Sequence, residues 1–251
     1  MSYQHGRFVW FECFTENIDR ARSFYTELFD WTIDPMPMEE GPPYQLIKCA
    51  STGIGGLMPL QADQGEHAFW LSYLSVHDVD GIAGRIRDRS GGLLHDAFDV
   101  AGVGRMAVVH DPQGAVFALF KGEQGDPEEA EGPGSWWWNE LWTSDEAEAL
   151  RFYESVFGYR HDEMRMEGDD KYYVLMQGDA PRGGLMRSPD AKTPPNWLPY
   201  VRVDDCDATA SRAKSMGAKL LWPPSDISNV GRALVLGDPG GAVIAAITPA
   251  N

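Results

Sequence analysis

Apolar and polar positions along the chain change period several times, and each change marks an element. Val9–Phe14 is an aromatic, β-branched run that predicts a strand; immediately after it Ile18, Ala21, Tyr25, Leu28 and Phe29 recur on one helical face, with Asn17 as candidate N-cap. Tyr44–Ala50 and Ile54–Leu60 then read as strands, as do Trp70–Val76, Arg105–Val109 and Val116–Phe120. A helix is predicted from about Asp80 to Ser90, stopped by Gly91-Gly92. Strand, helix, strands, and again strand, helix, strands: each half of the chain reads as two βαβββ units.

The second half repeats the first. At a shift of 128, Glu12 meets Glu140, Phe24-Tyr25 meets Phe152-Tyr153, Asn17 meets Asp145, and Gly55-Gly56-Leu57-Met58 meets Gly183-Gly184-Leu185-Met186. At 127, Trp70, Tyr73 and Val76 meet Trp197, Tyr200 and Val203, while Gly104-Arg105 and Asp111-Pro112-x-Gly114-Ala115 meet Gly231-Arg232 and Asp238-Pro239-x-Gly241-Ala242. One deletion accounts for the drift, and a register kept over most of the chain is a duplication. Between the copies, Gly122–Gly134 holds five acidic residues, four glycines and two prolines without an apolar period, which predicts an interdomain linker. The expected organisation is domain 1 over residues 1–121, linker over 122–134 and domain 2 over 135–251.

Composition narrows the function. With 43% hydrophobic residues the chain has enough apolar surface for two cores, so disorder is not the default reading. A formal charge of -17 repels polyphosphate and anionic lipid, which argues against nucleic-acid and membrane partners and suits either a neutral or cationic small molecule or a merely solubilising surface. Cys13, Cys49 and Cys206 form no C-x-x-C pair, and neither a leader nor a membrane-length apolar run is present, so a cytoplasmic protein is expected. Self-association is left open.

The strand, the helix carrying "FY", the following "FDW" or "FGY", and the "DPQGA" or "DPGGA" turn before the final strand resemble the vicinal oxygen chelate superfamily of glyoxalases, bleomycin resistance proteins and dioxygenases. "WNEL", "FECF" and the Gly-Gly-Leu-Met strand resemble its two-domain, glyoxalase-like members. The resemblance implies an α+β fold of tandem βαβββ modules, two per domain and two domains, each with a curved mixed sheet forming a cup. It also implies where metal-dependent members hold their ligands. Those positions fall here on Trp10 and Trp138, Leu71 and Leu198, and Ala118 and Ala245, none of which ligates a metal. No bound metal and no cofactor is therefore expected.

Strand parity says what fills the cups instead, since residues two apart share a face. Trp10, Glu12, Phe14 and Tyr73 would line one cup, and Trp136, Trp138, Glu140, Trp142 and Tyr200 the other. A carboxylate among aromatic rings needs a partner or a purpose. Glu12 and Glu140 could carry protons or hold a cation, or each could pair with Arg105 or Arg232 and only fix the sheet. Those arginines could instead clamp an anion or pair with nearby carboxylates. By parity Asn139 faces the helices as a satisfied core amide, and His110 reads as a surface-loop histidine. The paired glycines mark a bulge or a close approach by a ligand or neighbouring strand.

Two functions remain open. One is sequestration of a small aromatic or cationic ligand in metal-free cups, as a resistance protein does. The other is a glyoxalase-like lyase or isomerase, or a natural-product tailoring enzyme, with Glu12 or Glu140 as catalytic proton carrier.

Overall fold

The computed structural model describes residues 2–38, 41–62, 64–65, 67–165 and 171–250. Four βαβββ modules follow one another. The first is β1 (Phe8–Thr15), α1 (Ile18–Phe29), β2 (Thr32–Met36), β3 (Tyr44–Cys49) and β4 (Thr52–Pro59). The second is β5 (Phe69–Ser75), α2 (Val79–Asp88), β6 (Gly92–Val100), β7 (Gly104–His110) and β8 (Val116–Gly122). The third is β9 (Trp136–Thr143), α3 (Glu146–Phe157), β10 (Arg160–Arg165), β11 (Lys171–Gln177) and β12 (Ala180–Arg187). The fourth is β13 (Asn196–Arg202), α4 (Cys206–Ser215), β14 (Lys219–Ile227), β15 (Gly231–Gly237) and β16 (Val243–Pro249).

The fold is α+β, with two eight-stranded mixed sheets ordered β2-β3-β4-β1-β5-β8-β7-β6 and β10-β11-β12-β9-β13-β16-β15-β14. Pairs β1–β4 and β5–β8 are parallel, as are β12–β9 and β13–β16, because a helix separates the first strand of each module from its partner. Both expected N-caps are present: Asn17 and Asp145 accept the backbone N–H groups of Arg20 and Glu148 at 3.0 and 2.9 Å.

Contacts gather the chain into two compact units that draw on both halves. The first comprises Met1–Trp10, Ser72–Pro127 and Trp138–Leu198; the second comprises Phe11–Leu71, Glu128–Trp137 and Pro199–Asn251. In the second unit α1 buries Ala21, Phe24, Tyr25, Leu28 and Phe29. Tyr25 is fully buried; its O–H donates to Asp238 Oδ2 at 2.8 Å and its oxygen accepts Trp70 Nε1–H at 2.9 Å. Asp238 Oδ1 in turn accepts the N–H groups of Gly240 and Ala242, both at 2.8 Å, which folds the "DP" turn around it. The first unit repeats this with Tyr153, Asp111 and Trp197, Tyr153 donating to Asp111 at 3.1 Å and accepting from Trp197 at 3.0 Å. Each carboxylate converts buried donors that would otherwise cost free energy into a closed network.

The linker is tied down at both ends rather than loose. Asp126 accepts Ser75 Oγ–H at 2.6 Å in the first unit, and in the second Gly134 O accepts Trp31 Nε1–H at 2.7 Å. All three cysteines are free and buried. Among the described residues no helix is long and apolar enough to cross a membrane.

Candidate functional site

Glu140 lies in the middle of β9, 6% exposed, on the face opposite Leu141. Burying a carboxylate there is tolerable only with hydrogen-bond donors, and two aromatic side chains supply them. Trp142 Nε1–H donates to Glu140 Oε1 at 2.7 Å. Tyr172, the second residue of β11, donates an O–H hydrogen bond to Glu140 while its oxygen accepts Trp138 Nε1–H at 2.7 Å. Burial first, then the neighbouring Glu140 charge, push the Tyr172 phenol well above its ordinary pKa. The result is a chain of indole, phenol and carboxylate within one unit, joining three residues marked by strand parity to one that parity passed over.

The second unit holds a reduced version. Tyr44 donates to Glu12 Oε1 at 2.8 Å, but Phe14 stands where Trp142 stands and has no N–H to give; it stacks on Phe69 at 5.0 Å. Both tyrosines need the glycine beneath them. A Cβ on Gly56 would sit 2.1 Å from Tyr44 Oη, and one on Gly184 would sit 1.8 Å from Tyr172 Oη and 2.7 Å from Trp138 Nε1. Gly55 serves the neighbouring strand instead, since its Cβ would meet Phe11 O at 2.2 Å. In each pair the first glycine admits the neighbouring strand, as one reading expected, and the second makes room for a tyrosine side chain, which neither reading named.

Tyr73 is buried edge-on to Phe120 and registers with Ala118; Tyr200 is buried and registers with Ala245. Trp10 and Trp138 are half-buried. Neither Glu pairs with Arg105 or Arg232. Those arginines bridge Asp80 and Asp99, and Asp207 and Asp226, at 2.7 to 2.9 Å on the exposed side, because each side chain reaches its own helix N-terminus and neighbouring strand.

Three further assignments change. Trp136 shares parity with Trp138 yet packs into the second unit's core against Phe11 at 4.2 Å and Trp31 at 5.3 Å, with its indole N–H on Ile54 O at 2.9 Å. It is the first residue of β9, where parity has no preceding pair to hold it. His110 ends β7, half-buried, with Nδ1 2.8 Å from Asp111 O, rather than in a surface loop. Asn139 is buried as expected but only partly satisfied: Ser72 Oγ reaches its Oδ1 at 3.5 Å, and Nδ2 has no partner among the described residues. Replacing Asn139 by leucine, similar in volume, is expected to raise stability by about 1 kcal/mol by removing an unpaired buried amide. An unchanged or lower urea midpoint would show that Nδ2 is satisfied in solution.

A divalent metal fits poorly. The positions that the resemblance assigns to ligands hold Trp10, Trp138, Leu71, Leu198, Ala118 and Ala245, and no group of three or more His, Cys, Asp or Glu side chains converges among the described residues. The cleft of about 210 Å³ lies away from both glutamates, at the N-terminus of α1.

Comparison with known proteins agrees with this architecture. Residues 7–41 match the bleomycin resistance protein-like N-terminal family, and residues 140–247 match the glyoxalase-like domain family. CFP32 of Mycobacterium tuberculosis, provisionally named a glyoxylase, is 34% identical over 99% of this chain and 97% of its own length. The anthracycline biosynthesis protein DnrV of Streptomyces peucetius is 30% identical over 94% of this chain and 91% of its own. Among solved structures, the Mn(II)-bound glyoxalase of Novosphingobium aromaticivorans superposes with a TM-score of 0.67 at 14% identity, covering 98% of this chain and 83% of that one. The 2,3-dioxygenase LapB of Pseudomonas sp. KL28 gives 0.67 at 12% identity, covering 100% and 94%. With full-length relatives at 30% and 34% identity and the module order in place, the chain belongs to the vicinal oxygen chelate superfamily, among its glyoxalase-like members.

Proposed function

We propose that the chain binds a small aromatic or cationic molecule without a metal, against the aromatic faces that carry Glu140 and Glu12, in the manner of a resistance or sequestration protein. The observation that carries this reading is Glu140, a carboxylate fixed by Trp142 and Tyr172, with Trp138 and Trp142 two residues before and after it on β9. Such a site attracts a cation by charge and by ring quadrupole together. A relative named for anthracycline biosynthesis agrees with a polycyclic aromatic ligand. The reading takes residues 1–121 and 135–251 as the two binding domains, each holding one sheet.

The test is a titration with an anthracycline bearing a protonated amine, followed by tryptophan fluorescence. Saturable quenching is expected, weakened at least about tenfold in Glu140→Gln, which keeps an acceptor for Trp142 but loses the charge. Trp10→Ala and Trp138→Ala variants that fold and keep full affinity would overturn the assignment. Elemental analysis of protein purified without chelator should find no stoichiometric transition metal.

The second reading is a glyoxalase-like lyase or isomerase, or a tailoring enzyme, and the Tyr172–Glu140 hydrogen bond favours it because it offers a ready proton path. Turnover of methylglyoxal with thiol, with or without added Ni, Zn, Fe or Mn, and its loss in Glu12→Gln or Glu140→Gln, would put this reading first.

A further inference from the structure

The two "DP" turns differ at one residue, Gln113 in "DPQGA" and Gly240 in "DPGGA". In the first unit the Gln113 carboxamide reaches the loop that starts α3. Its Oε1 accepts Thr143 Oγ1–H at 2.8 Å, Ser144 N–H at 3.1 Å and Asp145 N–H at 2.8 Å, and its Nε2–H donates to Asp145 O at 2.8 Å. Ser144 Oγ–H adds a fourth donor at 2.6 Å, so one planar amide meets four donors and an acceptor. The corresponding loop in the second unit is Thr15, Glu16 and Asn17 at the start of α1.

Glu16 in place of Ser144 removes one hydroxyl donor, while the hydrogen bonds that shape the turn and cap the helix recur in both units. Asp238 holds Gly240 N as Asp111 holds Gln113 N, at 2.8 and 2.9 Å, and Asn17 caps its helix as Asp145 does. With glycine at 240 the side chain that fills this place in the first unit is missing, and a cleft of about 210 Å³ opens, lined by Thr15, Asn17, Arg20, His67 and Gly240 among others. The Asn17 N–H, whose counterpart bonds the carboxamide at 2.8 Å, turns to Thr15 Oγ1 at 3.3 Å. A Cβ on Gly240 would stand 3.3 Å from Ala68 Cβ and 3.5 Å from Thr15 Oγ1, so the position lies between Ala68 and this loop.

We propose that this cleft is a binding site for a primary carboxamide, supplied by a ligand in place of the missing glutamine side chain. The carbonyl oxygen takes the Thr15 hydroxyl and the Glu16 and Asn17 N–H groups; the amide N–H donates to Asn17 O. That last contact distinguishes an amide from a carboxylate, which would bring a second lone pair against the Asn17 carbonyl. The site is separate from the aromatic faces, and its test does not depend on their function.

Propionamide, the glutamine side chain as a free molecule, is the probe. In the full-length protein it is expected to shift the Glu16 and Asn17 amide resonances saturably, with a midpoint on the order of millimolar for so small a ligand. Propionate at equal concentration should bind at least about tenfold more weakly. Gly240→Gln tethers the carboxamide in place and should abolish the response; Gln113→Gly opens the twin cleft and should make Ser144 and Asp145 respond. No saturable shift in the unmodified protein, a response that survives Gly240→Gln, or equal binding of propionate would each overturn the proposal. If Gly240→Gln does not fold, the Gln113→Gly protein decides, since a twin cleft that gains no response removes the basis of the assignment.

Discussion

Alanine at Gly55 is expected to cost at least about 3 kcal/mol, enough to leave much of a typical domain unfolded. Its Cβ would lie 2.2 Å from Phe11 O and 3.2 Å from Phe11 C. Those are backbone atoms of the parallel neighbour β1, held in register Phe11↔Gly55, and they cannot rotate aside as a side chain could. The strands must separate, and the β1–β4 ladder that positions Glu12 separates with them. The same substitution at Gly183 meets Asn139 O at 3.0 Å and the Trp197 ring at 3.3 Å, a misfit relieved by a few tenths of an ångström. It should cost only about 1 kcal/mol. Urea unfolding of the two variants checks the contrast; a Gly55→Ala protein as stable as Gly183→Ala would mean that the strands are not packed this closely.

The second large effect is expected at Asp238. Asp238→Ala strips acceptors from Gly240 N–H, Ala242 N–H and the fully buried Tyr25 O–H at once. A cost of about 4 kcal/mol follows from leaving several buried donors unpaired. The conservative Asp238→Asn adds a pH signature. Burial raises the Asp238 pKa, while the Tyr25 hydroxyl and the turn N–H groups oppose the rise. A carboxyl with a raised folded pKa contributes stability that is fully present below its unfolded value of about 3.9 and is lost as pH rises through the folded value. The stability difference between wild type and Asp238→Asn should therefore be largest in acid and shrink toward neutral pH. Urea midpoints across that range decide it, and a difference that grows with pH would reverse the assignment.

Much of this architecture is written in local pattern. Residues 18–29 bury one helical face, Asn17 and Asp145 cap where they should, and the duplication lays the modules out in order. The outer strands escaped detection because they have no such pattern. β2 carries Pro35 and β6 exposes Leu94 at 62%; both lie at a sheet edge, where one side meets no neighbour and alternation is not enforced. The parity argument found Trp138, Glu140 and Trp142 together but missed Tyr44 and Tyr172. A tyrosine near the start of a strand carries no signal of its own, although both recur at the shift of 128, each with its hydroxyl over a glycine of the neighbouring strand. The Tyr25–Asp238 and Tyr153–Asp111 bonds join motifs that were each visible alone. Their pairing is tertiary, and no spacing along the chain encodes it.

That pairing bears on how such a chain could arise. Tyr25 and Asp111 belong to the first half, Asp238 and Tyr153 to the second, so a gene product ending near the linker would carry one hydroxyl and one carboxylate with neither partner. A second copy of the same half offers both. The bonds now made within one polypeptide are those that a symmetric pair of half-length ancestors would have made between subunits, and joining two copies of the gene end to end would have kept every one of them while freeing the halves to diverge, as they have at Gln113 and Gly240.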